Sequence, residues 1–304
     1  MTNVRKGGLA VVLIVCLVAV LINIRGAHSS ETDSLSIEVG SAGIVEQQIL
    51  HLADKVIGSN SAVRDSFAAE LLEIYGKAED SDFVVYYYEG GWGSRPLSVD
   101  PEGRSLVTGI QSELTQLGYT YCTADYPRSH DNLGDYLFEG KELFTGYPVK
   151  SGQLAAKINF LTQQIDDLRI LIVGKSTGAT FVNAAAKKLE TNSNVYNIQI
   201  GNPAGHCTPV ADRSLSICSN GIEEDAMAEI SIWSAFKANK IKMILIGCAP
   251  SFTPVGWILG KAFLGLCLCT TDFALKIPGH EYMWYYPNVG SRIEAFLVEA
   301  FGSR

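Results

Sequence analysis

Leu168-Arg169-Ile170-Leu171-Ile172-Val173, then Gly174-Lys175-Ser176-Thr177-Gly178, then Ala179 to Leu189 (ATFVNAAAKKL): the reading of this run decides the fold. The first piece is short, apolar and β-branched, as a buried strand is. The last is rich in alanine, with two lysines near its end, as a helix is. Between them stands G-x-S-x-G, in the strand-turn-helix context of a nucleophile elbow. Such a turn is sharp and strained, and the residues two positions either side of its centre must be small. Gly174 and Gly178 meet that demand and would leave Ser176 at the strand tip. Gly-Lys-Ser-Thr also resembles the end of a phosphate-binding loop, but that loop requires a glycine where Arg169 stands. Glycines in a strand-to-helix turn can also serve close packing alone, so the rest of the chain has to decide.

Working outward, strands and helices alternate. Apolar spacing predicts helices over 44–57 and 61–76. Phe83 to Tyr88 (FVVYYY) predicts a strand ending in Glu89-Gly90-Gly91-Trp92-Gly93. Ser105 to Leu117 reads as a helix closed by Gly118, and Tyr119 to Ala124 as a strand before Asp125-Tyr126-Pro127-Arg128. Residues 129–150 read as an irregular, aromatic-rich connection, and Ser151 to Gln164 as a helix. Val195 to Ile200 and Ser214 to Cys218 are further strands, and Arg292 to Phe301 is a closing amphipathic helix. This order implies an α/β domain with a mostly parallel central sheet and helices on both faces, its function at the strand C-terminal ends.

The chemistry of a serine nucleophile needs a base, an acid and oxyanion donors. Of five histidines, His28 lies in a linker and His51 in the first helix. His130 and His206 lie in loops after strands, His206 being the second choice of base. His280, in Pro278-Gly279-His280-Glu281-Tyr282-Met283-Trp284, is the last histidine, and the order Ser…Asp/Glu…His demands the last. The acid is sought in the loop after strand 214–218. There Asp225 is favoured, with Glu224 and Glu223 behind it and Asp272 as a further alternative. Backbone N–H groups of Thr177 and of Gly91 or Trp92 are the oxyanion-hole candidates. Solvated acids at a turn and an exposed loop histidine are the plain alternatives.

With these motifs assembled, the chain resembles the α/β-hydrolase-fold serine hydrolases (esterase- and lipase-like) over roughly residues 80–300. The resemblance implies carboxyl-ester or related acyl hydrolysis through an acyl-Ser176, with His280 as base and then acid. It departs from the usual pattern in its short acid-bearing strand and in the long apolar segment before His280. A catalytically silent hydrolase-fold binding or scaffold protein is the alternative outside enzymes. A peptidase or thioesterase is the alternative within them.

Composition bounds the partners. The chain has 304 residues, 47% of them hydrophobic, ample for one large α/β domain. Net charge is −8; residues 1–25 hold three basic residues and no acid, so the remainder carries −11. An acidic body argues against nucleic acid as a partner. The substrate expected is a small-molecule or lipid ester. No Cys/His cluster has metal spacing, so neither metal nor cofactor is expected. Arg5-Lys6 precede the apolar run Leu9 to Ile24, which reads as an uncleaved signal anchor or a signal peptide within 1–28. A polar linker, 29–42, then leads to the domain, 43–304. This places the domain outside the cytoplasm, tethered to the membrane or secreted. Six cysteines besides Cys16 suit either disulfides or buried thiols. Met243 to Gly260 carries no charge over eighteen residues. A second span there would separate His280 from Ser176, so 241–247 is read as a core strand. Residues 255–269 are then a buried helix, with an apolar lid within 226–277 as the alternative.

Overall fold

A computed structural model of the chain describes residues 41–58, 60–91, 93, 95–129, 133–203, 212–225 and 279–302. The chain divides into units 1–45 and 46–304. Of the first, only residues 41–45 are described, as the opening of a helix. The apolar run 9–24 and the segment 226–277 lie outside the described residues, and so do the readings placed on them. Among the described residues no helix is long and apolar enough to cross a membrane.

In chain order the elements are α1 (Ser41–Ile57), α2 (Ser61–Ala78), β1 (Phe83–Tyr88), α3 (Pro101–Gln116), β2 (Tyr121–Ala124), α4 (Leu133–Thr145) and α5 (Lys150–Gln164). They continue with β3 (Arg169–Lys175), α6 (Thr177–Lys188), β4 (Val195–Ile200), β5 (Ser214–Ile217) and α7 (Gly290–Phe301). The five strands form one parallel sheet in the order β2-β1-β3-β4-β5. All six residues of β1 are buried, as a strand covered on both faces requires. Side chains of a strand alternate between faces. Phe83, Val85 and Tyr87 therefore share one core with Leu106, Ile110 and Leu114 of α3 and Ile293, Leu297 and Phe301 of α7. On the other face Tyr88 packs edge-on against Phe181 of α6, and α6 in turn packs on α5. The result is an α/β sandwich of three layers.

Several boundaries differ from the sequence reading for identifiable reasons. Helix α3 begins at Pro101 rather than Ser105, because proline suits a first turn whose N–H groups lack partners anyway. Strand β2 begins at Tyr121 rather than Tyr119. Tyr119 still belongs to the helix end: its N–H bonds Leu114 O at 2.9 Å, and Gly118 N–H bonds Thr115 O at 3.0 Å with Gly118 at φ 82°. That pair of bonds is the Schellman closure, which needs a left-handed glycine. Residues 129–150 are not wholly irregular, for they contain α4. Gly134 and Gly140 weaken its helical signal. Tertiary bonds hold it instead: Glu142 accepts the N–H groups of Val149 and Lys150 at 3.1 and 2.8 Å.

The strand order fixes where the site falls. The chain runs outward from β1 to β2, then returns past β1 to β3 and continues the other way. The connections leaving β1 and β3 diverge, opening a crevice at their carboxyl ends. Gly90–Gly93 follows β1 and Ser176 follows β3.

Candidate active site

Ser176 sits at φ 55°, ψ −123°, a conformation that costs a non-glycine residue energy and persists only where the surroundings impose it. The surroundings here are explicit. A Cβ on Gly174 would lie 2.4 Å from Gly178 O, and one on Gly178 would lie 2.2 Å from Tyr88 O. The elbow is thus wedged against its own helix on one side and against β1 on the other. Ser176 N–H bonds Ile200 O at 2.8 Å, which holds the turn to β4. Gly178→Ala forces backbone against backbone. It is expected to cost several kcal/mol and to yield little folded protein, as measured by urea unfolding; a variant of native stability would contradict this account of the elbow.

Helix α6 starts at Thr177, so its first N–H groups have no intrahelical acceptor and its dipole favours negative charge beside Ser176. Gly91 and Gly93 adopt φ 61° and 68°, and a Cβ on Gly90 would lie 2.8 Å from Ser176 Cβ. The turn after β1 therefore comes up close to the serine, which only glycine allows. Trp92 lies outside the described residues.

The turn is held from behind by Arg128, whose side chain is buried. One terminal nitrogen, Nη2, donates to Glu89 O at 2.8 Å, Thr177 Oγ1 at 3.1 Å and Gly91 O at 3.3 Å. The other, Nη1, donates to Glu139 Oε1 at 2.6 Å and Tyr147 Oη at 2.7 Å. Thr177 Oγ1 itself donates to Gly91 O at 2.6 Å. Glu139 also receives Lys150 Nζ at 2.6 Å. The Arg128 N–H bonds Gly93 O at 2.7 Å.

The structure brings His280 and Asp225 together. Asp225 is 1% exposed, and its Oδ2 lies 2.9 Å from His280 Nδ1. Tyr282 Oη donates to the same oxygen at 2.5 Å. The carboxylate accepts, so Nδ1 carries the proton and Nε2 offers its lone pair. Nε2 is buried and has no hydrogen-bond partner among the described residues. The ring lies over Gly201, where an added Cβ would come within 3.0 Å of His280 Cε1. Ser176 is bonded to Ile200, the preceding residue, so the serine and the imidazole flank the same strand end.

Asn220 locks the two loops. Its side-chain oxygen accepts the N–H groups of Ile222 and Glu223 at 2.8 and 3.0 Å, shaping the acid's loop. Its amide nitrogen donates to Gly279 O and Glu281 O at 3.3 and 3.0 Å, on either side of His280. Gly279, at φ 70°, leaves no room for a side chain: a Cβ would lie 2.2 Å from Glu224 O.

The other candidates are not brought into this group. Glu223 and Glu224 are exposed, and His51 is exposed on α1. Asp272, His130 and His206 lie outside the described residues. Asp125 instead accepts Leu97 N–H at 2.6 Å and fixes the turn before α3. Lys175 points away from any phosphate-binding role, its Nζ lying 3.3 Å from Glu102 Oε2 and 3.5 Å from Asp100 Oδ1. Burial pushes the Asp100 carboxyl up, but Lys175 and a 2.6 Å hydrogen bond from Tyr87 outweigh it and hold the group below its usual range. Arg128, Glu139, Tyr147, Lys150 and Tyr282 were not identified from sequence. Their signal is tertiary: a buried arginine has no one-dimensional mark. Cys218 is disulfide-bonded and Cys122 is a free thiol. Among the described residues no cluster could hold a metal.

Glu89 adds a pH dependence. Burial, opposed by Arg95 at 2.8 Å, raises its carboxyl to about 7. In the unfolded chain the group ionises near pH 4.3, so between there and about 7 the folded state binds the extra proton. Stability should therefore fall as pH rises through that window, by about 3–4 kcal/mol, and then level off. Glu89→Gln should flatten the slope; urea midpoints at pH 5 and pH 8 that shift equally in both proteins would contradict this.

No known protein-family profile matches the chain. One curated protein, a UDP-N-acetylglucosamine–N-acetylmuramyl-(pentapeptide) pyrophosphoryl-undecaprenol N-acetylglucosamine transferase of Lachnospira eligens, is 30% identical over 101 residues. That match covers 32% of this chain and only 27% of the relative. Among solved structures, a Trichoderma reesei cutinase in complex with a C11Y4 phosphonate inhibitor aligns with 61% of this chain and 78% of its own. The identity is 18% and the TM-score 0.36. An extracellular alpha/beta-hydrolase from a Paenibacillus species aligns with 66% of this chain and 69% of its own, at 12% identity and TM-score 0.24. Likenesses of this extent do not place the chain in a family.

Proposed function

We propose that this chain is a serine hydrolase that cleaves carboxyl esters through an acyl-Ser176 intermediate. The observation that carries the reading is one constellation. A serine is held at positive φ between two obligatory glycines and bonded to Ile200, while a half-buried imidazole lies over the next residue, Gly201, with its Nδ1 engaged by Asp225 and its Nε2 without a hydrogen-bond partner among the described residues.

In this mechanism Ser176 Oγ attacks the ester carbonyl as its proton passes to His280 Nε2. The carbonyl electrons move onto oxygen, where the N–H of Thr177 and the turn after β1, Gly91 and Trp92 included, stabilise the charge. The C–O bond to the leaving alcohol then breaks, and His280 returns the proton to that oxygen. Water repeats the sequence on the acyl-enzyme and frees the acid and Ser176. Asp225 keeps its charge throughout and holds His280 in the working tautomer. The fold is accordingly read as α/β-hydrolase-like. The basic-flanked apolar run 9–24 and the disulfide at Cys218 both support a site outside the cytoplasm, tethered or secreted.

The test is labelling of the full-length protein with a fluorophosphonate, followed by peptide mapping. Stoichiometric label on Ser176 that requires His280 is the expected result. No label on folded protein, with no turnover of short-chain esters, would overturn the reading and leave a binding protein. Label with amide or thioester turnover in place of ester turnover would retain the nucleophile and overturn the substrate class.

A further inference from the structure

We infer that Tyr282 is a positioning residue that sets the basicity of His280 by sharing the Asp225 carboxylate with it. The inference rests on the proposed roles of Ser176, His280 and Asp225. What carries it is a shared atom. Asp225 Oδ2 lies 2.9 Å from His280 Nδ1 and 2.5 Å from Tyr282 Oη, with the carboxylate and the phenol both buried.

Two donors on one oxygen compete for its charge. When His280 takes the serine proton, the new imidazolium is stabilised by Asp225. A phenol O–H directed at the same oxygen draws off part of that negative charge. Tyr282 thus lowers the affinity of His280 for a proton.

The chain holds Tyr282 there independently of the histidine. Its N–H bonds Glu102 Oε2 at 2.9 Å, and that same oxygen lies 3.3 Å from Lys175 Nζ. The lysine beside Ser176 in the elbow is therefore linked through Glu102 to the residue that grips the acid. Its place in the motif acquires a reason that phosphate binding does not supply. Tyr282 also stands edge-on to the His280 ring, with centroids 5.8 Å apart. Among the described residues the charged groups on the surrounding elements are Asp100 just before α3, Glu102 of α3, Lys175 of β3, Glu223 and Glu224 on the acid's loop and Glu281 beside the base. None of these is changed by altering the phenol oxygen.

The experiment measures the rate of fluorophosphonate labelling against pH for the full-length protein, for Tyr282→Phe and for protein carrying 3,5-difluorotyrosine at 282. Tyr282→Phe should move the acidic midpoint upward by about half a unit to one unit. Difluorotyrosine, a stronger donor of nearly the same shape, should move the midpoint downward. NMR titration of the His280 Cε1 proton should show the same two signs without reliance on turnover. A midpoint that stays fixed in both variants, or moves the same way in both, would overturn the inference and leave Tyr282 a packing residue. Wild-type protein that takes no label while His280 still titrates with these shifts would overturn the hydrolase reading and retain the coupling.

Discussion

Ser176→Ala should abolish fluorophosphonate labelling and lower ester turnover by on the order of 10⁴–10⁶-fold, with the unfolding midpoint essentially unchanged. The separation of activity from stability follows from the structure. The strain at Ser176 is a backbone property, fixed by Gly174, Gly178 and the bond from Ser176 N–H to Ile200 O. Alanine keeps the Cβ and the N–H, so the turn persists while the reacting oxygen is gone. His280→Ala should lose nearly as much, because the serine hydroxyl is unreactive without a base to accept its proton. The two losses should not add, since both residues serve one step. Activity in Ser176→Ala within tenfold of the wild type would place the chemistry elsewhere. Circular dichroism and urea unfolding, run beside the kinetics, show whether each loss is chemical or a failure to fold.

Arg128→Met should damage both stability and rate, which sets it apart from the serine. Its guanidinium is 2% exposed and faces an equally buried Glu139. Removing one member of a buried pair leaves the other charge poorly compensated, at a cost of about 3–5 kcal/mol. Lys150 and Tyr147 still reach Glu139, so the lower end of that range is expected. The kinetic effect arises because Arg128 collects the carbonyls of Glu89 and Gly91, together with Thr177 Oγ1, on one nitrogen. Carbonyls fixed toward the arginine leave the turn in a single conformation facing Ser176. Loosening them should lower turnover about 10²–10³-fold, the scale of one oxyanion donor. Arg128→Lys should recover much of the stability but little of the rate, since an ammonium cannot fork between Glu139 and the turn. Wild-type rates in Arg128→Met would show that the turn needs no such support.

The difference between these two sites marks how far the one-dimensional reading reaches. The strand before Ser176, the helix after it and the glycines two positions away announce themselves because their constraints are local. Burial on both faces demands a continuous apolar run, and a turn that a Cβ would fill demands glycine. The order of elements along the chain likewise dictates parallel pairing. The pairing of Asp225 with His280 is a different matter. Residue type and chain order put Asp225 first among its candidates, and packing sets it apart, buried under the base loop while Glu223 and Glu224, two and one residues away, are exposed. Helix α4 escaped the sequence because Gly134 and Gly140 weaken its signal and contacts from elsewhere hold it. Arg128, Glu139, Tyr147 and Tyr282 escaped for the same reason in stronger form. An arginine or a tyrosine carries no sign in sequence of whether it will face water or a carboxylate 57 positions away.

The sequence by itself determined the α/β class, the elbow and the short list of acids and bases, because those rest on periodicity and backbone sterics within a few residues. Only the tertiary structure decided which acid meets which base and what holds the turn after β1. Those choices are settled by which side chains lose their water when the layers close.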